Sequence, residues 1–121
     1  MTLYIKQKEV KKIATKTKIR KNIFSKATGL MFHKKIKDEA HIFKFKKPKI
    51  QTLTMFFVFF KIDVIFTKEN KIVEIKENFK PFTNYKTKTK ADTFIELPEK
   101  TIKRNNIKIG NKIIIKNNHA K

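Results

Sequence analysis

Asp63 is the one carboxylate inside the apolar stretch "MFFVFFKIDVIF" (Met55–Phe66). Flanked by Ile62 and Val64, it is placed to lose water, which raises a carboxyl pKa and suits it to act as a base. On that reading the chain is a hydrolase centred on Asp63. The same position also suits a structural acceptor. Asp63 can pair with Lys61 on the same strand face, or take backbone N–H groups at a strand bend. Catalysis needs a partner acid, a histidine or a metal cluster. The sequence offers none beside it, so the structural role is favoured.

Other chemistry-bearing patterns are sparse. His33, His41 and His119 lack the i, i+4 spacing or cysteine companion of a metal centre. His41, on a phenylalanine face, reads as a packed side chain. The "ATGLM" segment has one glycine and is no phosphate loop. There is no Gly-x-Ser-x-Gly elbow, and the absence of cysteine excludes thiolate catalysis and a disulfide framework. No catalytic residue, metal or cofactor is expected. Phe43 and Phe45, set between lysines in "HIFKFKK", are candidates for stacking single-stranded bases. Core packing explains them more simply.

What must hold Asp63 is a strand. The even positions Phe56, Val58, Phe60, Ile62, Val64 and Phe66 are all apolar, a period of two. The odd positions are apolar at Met55, Phe57 and Phe59, then polar at Lys61 and Asp63. One face is therefore expected to be buried throughout, the other to leave the core near Lys61. "TKENK" reads as a turn and "IVEI" (Ile72–Ile75) as the returning strand. Further strands are expected at "EVKKIA", with Val10 and Ile13 partly buried, and at "AHIFKF", "TFIEL" and both sides of Gly110-Asn111. "KKPK" reads as a polar connection. "ENFKPFTNYKTKTKAD" (Glu77–Asp92) reads as a long loop anchored by Phe79 and Phe82. Ile19, Ile23, Ala27 and Leu30 recur at helical spacing, with Gly29 as terminator. "PEKTIKRNN" reads as one helical turn. Strands outnumber helices and no helix alternates between them. The fold class is mainly β: a single-domain antiparallel β-sandwich with one or two short helices. Residues 1–13 form an N-terminal extension with a possible strand, 14–116 the domain, and 117–121 a charged tail.

The chain has 121 residues and a formal charge of +21, from 31 basic against 10 acidic residues. Such a surface draws polyanions. Yet 29 of the 31 basic residues are lysine, in a sequence also rich in Ile, Asn and Phe, as an AT-rich genome would impose. The two readings weigh about evenly. With arginine only at positions 20 and 104, base-specific readout through the guanidinium fork is disfavoured. Weak, salt-sensitive polyanion binding is expected. The longest apolar run before Lys61 is far short of the roughly 20 residues of a spanning helix. The first residues do not form a secretory signal. A cytoplasmic protein without a transmembrane segment is expected, its partners unspecified.

Five segments occur in a recognisable order: "GLMF" (Gly29–Phe32), "HIFKF", "TMFFVFFKIDVIF", "KIVEIKENFKPF" and "FIELPEKTIKRNNIKIGNKI". Over roughly Ala14 to Ile115 this resembles uncharacterised protein family 0127, also called domain of unknown function 192, in its archaeal branch. The resemblance implies a jelly-roll-like β-sandwich with little helix and assigns no activity. Positions matching the family pattern are Gly29, Leu30, Met31, Phe43, Met55, Asp63, Phe66, Pro81, Glu96, Thr101 and Gly110. The chain departs from it at Lys61 (usually proline), Phe82 (tryptophan), Lys100 (glycine), Asn111 (aspartate) and His33 (arginine). Together these readings favour a non-enzymatic binding or structural module, with a ligand or structural site beside Met55, Asp63 and Pro81. Nonspecific nucleic-acid binding through the lysine surface is the alternative, and a hydrolase the least favoured reading.

Overall fold

The strand carrying Asp63 sits deep in a sheet and is buried on both faces. The computed structural model describes residues 1–20, 38–55 and 58–116. In chain order its elements are β1 (Thr2–Lys6), β2 (Val10–Ala14), β3 (Lys16–Arg20), β4 (Glu39–Lys49), β5 (Thr52–Thr54), β6 (Ile62–Lys68), β7 (Lys71–Phe79), β8 (Asn84–Lys86), β9 (Ala91–Pro98), the single helical turn α1 (Thr101–Arg104) and β10 (Lys112–Lys116). Eight strands form one sheet in the order β2-β1-β10-β7-β6-β9-β4-β3, and β5 and β8 form a separate ribbon. The expected mainly β, antiparallel-dominated domain with little helix is what the chain adopts. The pair β3–β4 is parallel.

The sheet closes on itself. Strands β2 and β3 lie at opposite edges of the sheet, yet only Thr15 separates them in sequence. Consecutive Cα atoms are about 3.8 Å apart, so the two edges must meet there. Asp38 clasps the crossing. Its carboxylate accepts from the Thr15 hydroxyl and from the Thr15 N–H at 3.1 Å. Those two hydrogen bonds, the hydroxyl's first, hold the Asp38 carboxyl below its ordinary range.

Two cores follow from the period-two alternation. Inside the rolled sheet lie aliphatic side chains, among them Leu3, Ile5, Ile42, Ile65, Ile95 and Leu97. On the outer face of β4, β6 and β9 lies an aromatic core with Phe43, Met55, Val58, Ile62, Val64, Phe66, Phe79 and Phe94. Leu53 of β5 and Tyr85 of β8 pack onto that second core as a roof. Every residue from Ile62 to Thr67 is therefore buried. The odd face, expected to leave the core near Lys61, is exposed already at Phe59 and at Lys61 and then returns inside: Asp63, Ile65 and Thr67 are fully covered.

Several other expectations are corrected. Residues 1–13 are no extension: β1 lies between β2 and β10, with Leu3 and Ile5 in the inner core. Val10 is exposed, because β2 is an edge strand. Ile19 lies in β3, a strand; Ile23, Ala27, Gly29 and Leu30 lie outside the described residues, as do Phe56 and Phe57. Strand β4 runs through Pro48, where its pairing with β9 shifts register between Lys44 and Lys49. A proline is tolerated at such an irregularity because no ladder bond is asked of it. The hairpin β6–β7 turns through Glu69 and Asn70, both at positive φ (51° and 65°), the conformation of a two-residue turn. The tail 117–121 is outside the described residues.

Candidate functional site

Asp63 has no exposed surface. Its Oδ2 accepts the backbone N–H of Ile102 at 2.8 Å, and its Oδ1 accepts that of Asn78 at 3.1 Å. Each contact has a local cause. Helix α1 starts after Lys100, whose side chain caps nothing. Its first N–H groups lack internal partners, and Asp63 supplies one from 39 residues away. On β7, the step from Lys76 to Phe79 spans one residue more than the facing step from Val64 to Ile62. That bulge turns Asn78 to φ 52°, and Asp63 takes its freed N–H. The carboxylate is thus a two-ended tie between β7 and α1. Of the two structural roles foreseen for it, backbone acceptance is the one realised.

The three proposed site residues do not share a face. Asp63 points toward α1 and the inner core, where Ile102 packs. Met55 lies in the outer, aromatic core. Pro81, half-buried, adjoins Met55: the Met55 carbonyl accepts from Phe82 N–H at 2.9 Å and from Val58 N–H at 3.0 Å. So Met55 and Pro81 are brought together, with Asp63 on the other side of the sheet.

The other candidates are placed as follows. Phe43 is buried and stacks on Phe94, centroids 4.6 Å apart at 13°. Phe45, half-buried, leans on the same ring at 5.9 Å and carries Lys49 Nζ 4.4 Å above its own. Phe66 belongs to the aromatic core. His41 is fully buried, its Nε2 3.1 Å from Glu39 Oε1, and pairs across the ladder with Glu96. Thr101 donates its hydroxyl to the Pro98 carbonyl at 2.6 Å. Among the described residues no group of three or more His, Asp or Glu is gathered as a metal centre. His33, His119, Leu30 and Met31 lie outside the described residues.

Three further positions around α1 and the turn before β10 have a defined backbone or side-chain role. Lys100 sits at φ 70°, a left-handed conformation that glycine adopts without strain. Gly110 sits at φ 99°. The Asn111 side chain ties the turn before β10 to the β1–β2 turn. Its Oδ1 accepts from Lys108 N–H at 2.9 Å and from Gln7 Nε2 at 3.2 Å.

A second buried carboxylate escaped the sequence reading. Glu74, 8% exposed, accepts from the N–H groups of Lys88 (3.0 Å) and Thr89 (2.9 Å) and from the Tyr85 hydroxyl. It shapes the loop from β8 to β9 as Asp63 shapes α1. Its signal was present: a glutamate inside the apolar run "IVEI". Burial, and then the hydrogen bond to Glu74, push the Tyr85 phenol up to about 12 from 10.0. Because the folded value is the higher, this contribution to stability is intact below pH 10 and fades as pH rises towards 12. In an ultraviolet titration, subtracting the Tyr85→Phe variant should isolate a phenol ionising near 12, and Glu74→Gln should lower it towards 10. An unchanged value in Glu74→Gln would leave burial as the sole cause.

Two clefts border these ties, both rimmed by cations. One of about 400 Å³ is lined by Glu77, Asn78, Lys100, Lys103 and Arg104. One of about 590 Å³ lies between the β1–β2 turn and the segment after α1, with Lys8, Lys11 and Lys108 at its wall.

A rolled sheet, an aromatic core under a two-stranded roof and carboxylates committed to backbone N–H groups define a small, mainly β domain. The family is a specific one. The model of DUF192, described as Uncharacterized ACR, matches residues 4–115, and the chain belongs to that family. No curated protein matches the sequence. Two crystal structures share the fold, each with a TM-score of 0.85. One is a protein of unknown function from Novosphingobium aromaticivorans, 20% identical, the match covering 95% of this chain and 84% of that one. The other, from Sinorhizobium meliloti, is described provisionally as a transcription regulator; it is 17% identical, with 93% and 91% covered.

Proposed function

We propose that this protein is a non-enzymatic binding or structural module. One observation carries the reading: the buried carboxylates Asp63 and Glu74 are both engaged by backbone N–H groups that the fold must satisfy. A general base needs an oxygen that can reach a proton of the substrate, whereas both oxygens of Asp63 are taken by backbone N–H groups and the residue has no exposed surface. The family is described as uncharacterised, and capture from a lysate followed by mass spectrometry is the way to identify the partner. No helix among the described residues is long and apolar enough to cross a membrane. A cytoplasmic location is part of the proposal, supported by the lack of cysteine.

The test uses Asp63→Asn. We expect reduced stability in a urea titration. Whatever small molecule or nucleic acid co-purifies with the parent, identified by mass spectrometry, should be retained by the variant. A hydrolytic turnover in the parent that vanishes in Asp63→Asn at unchanged stability would replace the module with an enzyme.

A second reading is general attraction to polyanions, supported by the 31 basic against 10 acidic residues. Exposed lysines occur on β1, β4, β6, β7, β8, α1 and β10 rather than on one strand. That spread favours weak binding that salt erases over a dedicated duplex-binding face.

A further inference from the structure

The aromatic surface lies at the Met55–Pro81 end, away from Phe43 and Phe45. Phe59 and Phe82 are 60% and 53% exposed, and their rings meet edge to face with centroids 5.2 Å apart. Phe82 stands at φ 61°, a conformation that costs a bulky side chain. Its N–H, bonded to the Met55 carbonyl, holds it there. The fold therefore accepts strain to keep a phenylalanine ring half in water.

The charge beside these rings is mainly positive; Glu99, one residue beyond the pair Ile62–Pro98, is the acidic neighbour of Lys61 on its β9 side. The β6–β7 ladder ends at the pair Ile62–Phe79, and one residue further on each chain stand Lys61 and Lys80, both exposed. Like charges brought together at the end of a ladder repel. No Asp or Glu occurs between Ile50 and Lys61 or between Asn78 and Ala91, while Lys86, Lys88 and Lys90 extend the cationic run. An anion placed between Lys61 and Lys80 would relieve the repulsion. A flat apolar group joined to that anion would cover the rings.

We propose that Phe59 and Phe82, flanked by Lys61 and Lys80, form a stacking site for single-stranded nucleic acid. Unpaired bases offer the flat faces, and the phosphates beside them meet the lysines. Duplex bases are already stacked on one another and offer no free face. Two rings bury too little apolar surface to hold the protein on a bilayer. The site stands whether or not the chain has a catalytic role elsewhere.

The test is fluorescence anisotropy with labelled oligothymidylate and oligouridylate, against a duplex of equal length, at about 0.15 M salt. We expect the single strands to bind and the duplex to show only salt-erased attraction. Phe59→Ala and Phe82→Gly should each weaken single-strand binding by about 10–100-fold. They should leave the salt slope unchanged, because phosphate contacts remain. Glycine at position 82 accepts the left-handed backbone, so that variant should fold. Lys61→Gln with Lys80→Gln should instead flatten the slope of log K against log salt by about one to two. Equal affinity for duplex and single strand, no response to either phenylalanine variant, or tighter binding to phosphatidylserine vesicles than to oligonucleotides would each overturn the assignment.

Discussion

Replacing Asp63 with alanine is expected to cost about 3–5 kcal/mol, a large share of the roughly 5–15 kcal/mol that holds a domain of this size together. The variant loses two charge-assisted hydrogen bonds, to Ile102 and Asn78. It also leaves the Ile102 amide buried without an acceptor, at a cost of about 1–3 kcal/mol, and strips the part-buried Asn78 amide of its partner at the β7 bulge. Asp63→Asn should lie between the parent and the alanine variant. It keeps one carbonyl acceptor but turns an amide donor towards the other N–H. Urea titration gives the stability, and hydrogen exchange at Ile102 and Asn78 locates the damage. Unchanged protection at both amides would mean that the carboxylate is not the tie described.

Phe94→Ala should be comparably severe, at about 3–5 kcal/mol. The Phe94 ring is where three others converge: Phe43 at 4.6 Å, Phe45 at 5.9 Å and Phe66 at 6.1 Å between centroids. It is 5% exposed, so removing it leaves a void rather than a site that water refills. Phe45 lies at the edge of the same cluster, half-buried, and Phe45→Ala should cost distinctly less. The urea midpoint should fall with its slope unchanged. A loss below about 1 kcal/mol for Phe94→Ala would mean that the outer core is not organised around this ring.

The mainly β class was legible because strand alternation survives even in a lysine-rich chain. The even positions of the Val58–Phe66 run show it. What alternation could not reveal is a roof. Asp63 and Thr67 look solvent-facing by type, and only the closure of the sheet buries them. Asp63 could be recognised as structural, yet its partner Ile102 is 39 residues away and no local rule connects the two. Glu74 was passed over for the same reason, since the loop that it organises comes 14 and 15 residues later. Ile19, the first of the four positions at helical spacing, lies in strand β3, so spacing alone did not mark where that strand runs. Strand β1 carries little signal of its own, because "LYIK" is short and its pairing partner β10 lies near the far end of the sequence. The aromatic pair was hidden by its own composition. In a run of five phenylalanines, nothing in residue type marks Phe59 as the exposed one.

Strand β10 is the last described strand in chain order, and it lies between β1 and β7. It pairs with β1 over five residues, from Thr2–Lys116 to Lys6–Lys112, but joins β7 at the single pair Lys112–Lys71, helped by bonds from Ile72 N to Asn111 O and Ile113 N to Asn70 O. During synthesis, β1 and β7 would leave the ribosome long before the strand that bridges them. Each then presents a bare edge to other nascent chains, and the gap in sequence makes closure slow. Lys6, Lys71 and Lys112 line that junction. Their mutual repulsion weakens the finished seam, yet the same repulsion discourages two unfinished chains from pairing edge to edge. A protein of this kind should be most at risk of aggregation at the moment of its making, and its dense positive charge is one safeguard against that.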